Sequence, residues 1–308
     1  MRSKGEIIMP PQKEENPRLA VRRVIYEGAH DYMPKGELCI DDDIVCRAVQ
    51  AKEAGFSEKF AFLQYLGLEI YTISPCYPER GKDLPGGREI SWPELNKWTR
   101  DTDLFIFAVV DGPFEWGMRL LGLAEFFSLL RSPLALKDLT EQVEKLNAYL
   151  FTKLAAEGVN GIILADDIAH QQGLFARPEL LEKSFLTSYA RQAEQVLKAG
   201  LPVFYHSDGN YSAVLDSIVR AGFTGLQCLE KAAGMDVKAL QDKLGEDICL
   251  WGHLDASDLE AAAEHERMQD LIAEIRLLAR GRKFILGTTS GLFSGMNITV
   301  LKALYAAV

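Results

Sequence analysis

Residues 201–230 read LPVFYHSDGNYSAVLDSIVRAGFTGLQCLE, and this stretch decides the fold. The apolar run 201–205 follows a glycine and is typical of a buried strand. Apolar residues at helical spacing predict a helix over 211–221, and a second apolar run at 223–229 predicts the next strand. Two strand–loop–helix units in succession indicate parallel strands whose carboxyl ends meet at one edge of a sheet.

The same alternation of apolar strand and amphipathic helix covers most of the chain. Strands are predicted around residues 70, 107, 163, 203, 226, 250 and 285. These runs are apolar at consecutive positions, which is typical of parallel strands covered on both faces. With 308 residues, the chain is long enough for one large α/β domain.

The predicted fold class is therefore α/β: a somewhat distorted (β/α)8 TIM-type barrel with an N-terminal extension. Residues 1–60 are expected to form an arm and helices packed on the barrel, and residues 61–308 the barrel itself. An eighth strand has to come from the N-terminal region. A doubly wound open sheet is the alternative, but no Gly-x-Gly-x-x-Gly motif supports a dinucleotide site.

Composition limits the classes of partner and the compartment. A net charge of −10 and a pI near 5.1 argue against a surface that binds nucleic acid. The five cysteines are an odd number without a Cys-x-x-Cys pair, which favours reduced thiols in a cytoplasmic protein. The first residues are polar and charged, and no long apolar run follows, so neither a signal peptide nor a membrane helix is expected.

The predicted strand ends carry the candidate catalytic residues, because barrel chemistry sits at the carboxyl ends of the strands. His206 is a metal ligand or a general acid–base, or else a histidine that is hydrogen-bonded within its loop. Asp166 and Asp167 form a paired carboxylate suited to proton transfer, unless one of them caps the next helix. Asp208 is a ligand or a turn residue, and Glu230 is a ligand, a base or the partner of a cation at the rim.

Three further strand-end residues, Asp111, His253 and Asp255, lack a motif of their own and are assigned to cofactor binding on their position alone. Cys228 lies two residues before Glu230, so its side chain should share the face of that residue. It is therefore kept as a candidate thiolate ligand, while the other cysteines are expected to be small buried apolar residues.

Four segments carry a family resemblance. They read GIILADD at 161–167, YHSDGN at 205–210, GFTGLQ at 222–227 with Glu230 and GMD at 234–236 after it, and LGTTSG at 286–291. From about residue 100 to the C-terminus, the chain resembles the uroporphyrinogen decarboxylase superfamily. That superfamily consists of distorted (β/α)8 barrels and includes corrinoid-dependent methyltransferases, so the resemblance implies the same barrel here.

The chain departs from the decarboxylase pattern at two places. It lacks the N-terminal Arg-Gln-Ala-Gly-Arg-Tyr segment that holds substrate carboxylates in that branch, and the late Gly-His-Gly falls near 289–291 without a histidine. The methyltransferase branch implies a zinc site of the form His-x-Cys plus a later Cys, which falls on His206, Asp208 and Ser290. The histidine is present, and neither thiolate is.

A divalent metal, zinc among the candidates, is still expected at His206, with Asp208 and Glu230 as oxygen ligands at adjacent strand ends. This harder ligand set favours a Lewis-acid role on the oxygen of an alcohol or methyl ether over the delivery of a thiolate.

The resemblance implies a methyltransferase that moves a methyl group from a small O- or N-methyl donor to a corrinoid (cobalamin) held by a partner protein. One alternative is a uroporphyrinogen decarboxylase-like enzyme acting on a tetrapyrrole, with Asp166 and His206 contacting pyrrole N–H groups or donating a proton. Another is a non-catalytic protein that binds a tetrapyrrole or corrinoid. The resemblance also implies a homodimer, and no nucleic-acid or membrane partner is expected.

Overall fold

The computed structural model describes residues 16–28, 32–79, 81 and 83–308 of the chain. Eight parallel strands form its main sheet. In sheet order they are β1 Gly36–Glu37, β2 Ile70–Ile73, β3 Phe105–Asp111, β4 Gly161–Ala165, β5 Val203–His206, β6 Gly225–Gln227, β7 Cys249–Leu254 and β8 Phe284–Thr288. This confirms the predicted (β/α)8 barrel. Residues 1–15 of the predicted arm lie outside the described residues.

The barrel closes where the first strand meets the last. The Leu286 amide donates a hydrogen bond to the Pro34 carbonyl at 2.9 Å, and a parallel bridge joins Ile40 to Leu292. The strand that was missing from the seven predicted ones is β1. It is only two residues long and lies within the predicted N-terminal region 1–60. The distortion of the barrel therefore lies at this seam.

Large side chains fill the barrel interior. Phe107, Phe204 and Trp251 pack together with ring centroids 5.1 to 6.0 Å apart. Glycines in adjacent strands make room for them: a Cβ at Gly161 would lie 2.4 Å from the Phe107 ring, and one at Gly225 would lie 2.2 Å from the Phe204 ring. Because this interior is packed solid, the chemistry has to take place at the ends of the strands.

Helix α1, Pro17–Glu27, covers the amino-terminal end of the barrel. Its Val21 and Ile25 are buried with the interior side chains. Its Arg18 donates to the carbonyls of Thr99 and Leu104 at 2.8 and 2.9 Å. Because α1 closes this end of the barrel, a functional site is expected at the opposite end, where the carboxyl ends of the strands lie.

The other helices surround the sheet. They are α2 Asp42–Val49, α3 Phe56–Leu66, α4 Leu95–Arg100, α5 Pro113–Leu121, α6 Leu123–Leu129, α7 Pro133–Ala156, α8 Pro178–Leu181, α9 Thr187–Lys198, α10 Leu215–Arg220, α11 Val237–Leu244, α12 Ala256–Ala261, α13 His265–Ala279 and α14 Ile298–Ala307. The helix predicted over 211–221 is shorter than expected, since a 3-10 turn, Ser212–Val214, precedes α10. Among the described helices, none is both long enough and apolar enough to cross a bilayer.

Glu37 on β1 is a buried carboxyl group that faces α14. Its Oε2 accepts hydrogen bonds from the Thr288 backbone N–H at 3.1 Å and the Thr288 hydroxyl at 2.5 Å, and its Oε1 accepts one from the Tyr305 hydroxyl. Burial raises the pKa of Glu37 to about 7, and the hydrogen bonds offset part of that rise. This carboxyl group fixes α14 to the seam where β8 meets β1.

We predict that Glu37 makes folding stability fall as the pH rises from about 4.5 to about 7, because the folded protein holds this proton more tightly than the unfolded chain. The contribution, roughly 3 kcal/mol, is fully present below the unfolded pKa and is lost as the pH passes the folded pKa. The neutral isostere Glu37→Gln should flatten this part of the profile when urea unfolding is measured across that range. Equal pH slopes in the two proteins would contradict the prediction.

Candidate functional site

Three neighbouring strands bring the predicted site residues together. The register pairs Ala165 at the end of β4 with His206 at the end of β5, and His206 with Gln227 at the end of β6. The residues that follow these ends therefore meet at the carboxyl edge of the barrel, where catalytic groups sit in this architecture.

Asp167, His206 and Asp208 form a cluster of three potential metal ligands, with one ligand atom from each within 4.8 Å of the others. His206 Nε2 is 3.6 Å from Asp167 Oδ1 and 3.8 Å from Asp208 Oδ1. The Asp208 backbone N–H donates to Asp167 Oδ1 at 2.9 Å, which ties the two carboxylate-bearing loops together. His206 is 8% exposed, whereas the carboxylate side chains are 40% and 60% exposed, so the cluster opens to solvent on the carboxylate side.

Gln227 orients the His206 ring. Its Oε1 accepts a hydrogen bond from His206 Nδ1, so the Nδ1 atom carries a proton. Nε2 has no hydrogen-bond partner among the described residues and faces the two carboxylates of the cluster. Gln227 was not predicted as a site residue, although an amide in the apolar run 223–229 is an available signal.

Asp166 was predicted to be catalytic, and its oxygens are already engaged in a fully buried position. Oδ2 accepts from the Phe114 N–H at 3.0 Å and the Tyr189 hydroxyl at 2.6 Å, and Oδ1 accepts from the Glu115 N–H at 2.5 Å. Burial raises the pKa of Asp166 well above its ordinary value. The Asp166 side chain thus caps the start of α5. Helix capping was the alternative role for one of these two aspartates, but the capped helix comes before Asp166 in the chain and not after it.

Glu230 supports the loop that carries Asp208. Its Oε2 accepts a hydrogen bond from the Gly209 N–H at 3.1 Å. Gly209 has a φ of +77°, and a Cβ there would lie 2.4 Å from the carbonyl carbon of His170, so this tight turn requires glycine. The metal set predicted from the sequence thus differs from the observed cluster in one member, with Asp167 in the place of Glu230.

Asp111 extends the site toward a cavity of about 290 Å³ that Tyr77, Trp116 and Arg119 help to line. Arg119 Nη2 donates to Asp111 Oδ2 at 2.9 Å, and its guanidinium lies 4.5 Å over the Tyr77 ring. Glu115, which was not predicted, lies 3.8 Å from Arg119. Burial raises the pKa of Glu115, and the neighbouring aspartate charges add to the rise, so this carboxyl group is suited to carrying a proton.

The two remaining strand-end predictions make contacts with neighbouring elements. His253 is buried, its Nε2 lies 3.6 Å from Glu274 Oε1 on α13, and burial lowers the pKa of His253. Asp255 forms a capping box with Asp258 at the start of α12 and accepts from the Thr289 hydroxyl at 2.9 Å. The Asp255–Thr289 hydrogen bond joins the ends of β7 and β8, whereas neither ring nitrogen of the buried His253 has a hydrogen-bond partner among the described residues. The cofactor role of His253 and Asp255 stays a prediction.

Cys228 follows β6 in an uncommon backbone conformation. Its φ is +61°, in the left-handed region that residues other than glycine seldom adopt. The buried thiol donates to the Thr289 carbonyl at 3.3 Å. Burial raises the pKa of Cys228, and the charge of Asp208 raises it further. A neutral thiol therefore lies beside the cluster.

This edge of the barrel is strongly acidic. The carboxylates at or beside it are Asp111, Glu115, Asp167, Asp208 and Glu230. Arg119 is paired with the first two of them. Carboxylate oxygens around an imidazole nitrogen that has no hydrogen-bond partner are a ligand set for a divalent cation such as zinc, so the residues present fit the expected metal.

A solved methyltransferase shares the fold of this chain over nearly its whole length. A methyltransferase from Methanosarcina mazei superposes with a TM-score of 0.74 at 16% sequence identity, covering 96% of this chain and 98% of that chain. A 3-keto-D-glucoside 4-epimerase from E. coli gives a TM-score of 0.49 at 11% identity, covering 89% of this chain and 97% of that chain. A family 2 AP endonuclease from Brucella melitensis gives 0.46 at 12% identity, covering 84% and 96%.

Sequence comparison gives the family. No curated protein sequence matches this chain. A profile of the family described as "Uroporphyrinogen decarboxylase (URO-D)" matches residues 96–308, which include β3 to β8 and every member of the three-residue cluster. The chain therefore belongs to the uroporphyrinogen decarboxylase (URO-D) family.

Proposed function

We propose that the protein is a metal-assisted methyltransferase that moves a methyl group from a small O- or N-methyl donor to a corrinoid held by a partner protein. The observation that carries this proposal is the cluster of Asp167, His206 and Asp208, in which a buried imidazole presents an unpartnered Nε2 to two carboxylates. Family membership supplies the barrel, and the cluster gives the reason to prefer methyl transfer over metal-free chemistry.

Asp167, His206 and Asp208 would hold the divalent cation, and zinc accepts imidazole and carboxylate ligands of this kind. A bound cation would polarise the oxygen or nitrogen of the donor and weaken its bond to the methyl group. The protein itself fixes the ligands in place. Gln227 sets the orientation of the His206 ring, and Glu230 holds the loop that carries Asp208.

The cavity lined by Tyr77, Trp116 and Arg119 is the proposed place of the methyl donor, since its volume of about 290 Å³ suits a small molecule. In the transfer, the electrons of the broken bond stay on the donor, and cobalt(I) of the corrinoid supplies the pair for the new bond to carbon. An oxygen donor then needs a proton. Glu115, whose pKa is raised, lies 3.8 Å from Arg119 of the cavity wall and is the proposed proton source.

The acidic edge disfavours the decarboxylase alternative. A porphyrinogen substrate carries several carboxylates, and these would meet the negative charges of Asp167, Asp208 and Asp111. Arg119 is already paired with Asp111 at 2.9 Å, so it is not free to bind a substrate carboxylate. Like charges at this distance repel, which favours a small neutral or cationic substrate over a polyanionic one.

We predict that the adjacent residues Asp166 and Asp167 have separable roles. Asp166→Ala removes the acceptor for three buried donors and should lower the free energy of unfolding by about 3 to 5 kcal/mol. Asp167→Ala removes a half-exposed group and should cost about 1 kcal/mol or less, while abolishing stoichiometric zinc binding. Urea unfolding and metal content by mass spectrometry measure the two effects. Loss of stability with retained zinc in Asp167→Ala would contradict the proposed cluster.

We predict that the protein converts cob(I)alamin to methylcobalamin in the presence of zinc and a methyl donor, such as an aryl methyl ether or a methylamine. His206→Ala should lower the rate about 100-fold or more, because it removes the imidazole ligand. Loss of cob(I)alamin absorbance under anaerobic conditions measures the rate. Asp236→Asn is the matched control, because Asp236 caps α11 through the Ala239 N–H. Carbon dioxide release from a porphyrinogen without metal, or corrinoid binding without turnover, would contradict the proposal.

We predict that Gln227→Leu weakens zinc binding about 10- to 100-fold, because His206 then loses the acceptor that fixes its tautomer. Gln227→Glu keeps an acceptor at this position and should retain affinity near that of the wild type. Competition against a chromogenic chelator measures both. Wild-type affinity in Gln227→Leu would show that the amide does not orient the ring.

A further inference from the structure

We propose that a second cavity at the carboxyl end of the barrel binds a small neutral molecule with an apolar body and a hydroxyl group, such as a phenol. This Thr72 cavity has a volume of about 290 Å³ and lies where the chain leaves β1 and β2. Among the described residues, none lines both this cavity and the one at Tyr77, Trp116 and Arg119. The inference therefore depends neither on the metal site nor on methyl transfer.

The Thr72 hydroxyl is the feature that points to a ligand. Thr72 lies on β2, is 6% exposed and lines the cavity. Its buried Oγ1 atom has no hydrogen-bond partner among the described residues. By contrast, the similarly buried hydroxyls of Thr99 and Thr102 each donate to a backbone carbonyl four residues earlier in the chain. Buried polar groups in folded proteins are nearly always hydrogen-bonded, so a ligand group that pairs with this hydroxyl would relieve an unfavourable arrangement.

The walls of the cavity are mainly apolar and aromatic. The Trp98 ring stacks on the Tyr71 ring with centroids 4.0 Å apart, and the Phe56 ring meets Trp98 edge-on at 4.5 Å. Trp98 is buried, so these contacts hold the wall in place before a ligand arrives. The aliphatic side of the wall is formed by Leu38, Ile40, Val45 and Ile73. A cavity of this size and lining suits a molecule with a single ring.

The charged side chains at the cavity are already paired with opposite charges. Lys59 Nζ lies 2.8 Å from Asp42 Oδ1, and Glu94 Oε1 accepts a hydrogen bond from Lys97 Nζ at 2.6 Å. Lys59 and Glu94 supply one positive and one negative charge to the lining. An ionic ligand would therefore gain little here, whereas a neutral hydroxyl can donate to Thr72 or accept from it.

The Thr72 cavity adjoins the proposed donor cavity through one loop. Cys76 lines the Thr72 cavity, and the next residue, Tyr77, lines the other. Backbone hydrogen bonds of 2.7 and 3.2 Å between Cys76 and Ser91 hold this part of the loop. The loop therefore contributes to two sites for small molecules at the same end of the barrel.

Binding of phenol and of toluene, measured by NMR titration of the full-length protein, tests the inference. The two probes are nearly equal in size, and only phenol carries a hydroxyl group. Thr72→Val should weaken phenol binding about 5- to 10-fold and leave toluene binding within about twofold, because it removes one hydrogen bond and keeps the shape of the side chain. Thr140→Val is the matched control, since this buried hydroxyl donates to the Lys137 carbonyl and does not line the cavity.

Modification of the thiols by iodoacetamide locates the bound phenol. Cys39 and Cys76 are exposed and line the cavity, whereas Cys46 does not line it. Saturating phenol should slow the reaction of Cys39 and Cys76 and leave the rate at Cys46 unchanged, as followed by mass spectrometry of the peptides. Equal slowing at all three cysteines, or at none, would overturn the site.

The affinities decide the class of ligand. Equal phenol affinity in wild type and Thr72→Val would show that water meets the hydroxyl and would overturn the proposed hydrogen bond. Should Thr72→Val fail to fold, the variants Thr72→Ser and Thr72→Ala decide, because they differ only in the hydroxyl: tighter phenol binding is expected in Thr72→Ser, and equal binding would be contrary evidence. All these measurements are made on metal-free protein, so they leave the proposed methyl transfer to its own tests.

Discussion

The Asp166 carboxylate is the contact on which the candidate site depends. At the end of β4 it accepts two N–H groups from the first turn of α5 and the Tyr189 hydroxyl from α9. These donors would otherwise be buried without partners, so the strand end and both helices are fixed as one unit. A Cβ at Gly112 would lie 2.4 Å from the Asp166 carboxyl carbon, so the chain leaves room for this contact. Asp166, anchored by these hydrogen bonds, therefore sets the position of the next residue, Asp167.

The two adjacent aspartates show that burial, and not residue type, decides the role of a carboxylate here. Asp166 is fully buried and saturated with donors, which suits a structural group. Asp167 is 40% exposed at its side chain and faces His206, which suits a ligand. A site whose ligands follow rigid strand ends needs little rearrangement on binding, because the scaffold has already fixed their directions. The anchor and the cluster are therefore parts of one arrangement.

Much of the barrel could be predicted from the sequence, because buried parallel strands are continuous apolar runs. Strand β1 could not, since two residues become a strand only through pairing with β2 and β8. Placement at strand ends selected His206, Asp167 and Asp208 together with His253 and Asp255. It could not tell which of these residues would lie close together, because spacing along the chain does not encode the side of the strand on which a residue lies. Three-dimensional contacts show that Asp167, His206 and Asp208 form one cluster.

Gln227 and Glu115 could not be predicted as site residues for a related reason, because each depends on a contact that the sequence does not show. Gln227 contacts His206 on β5, and Glu115 lies near Arg119 in the cavity wall. Folding also brings several carboxylates together at one edge of the barrel, in a chain that already carries a net charge of −10. Like charges close together destabilise the folded protein. A divalent cation at the free Nε2 of His206 would convert that repulsion into attraction. The arrangement that is unfavourable for the barrel alone is therefore the one that would give the site its affinity for a metal.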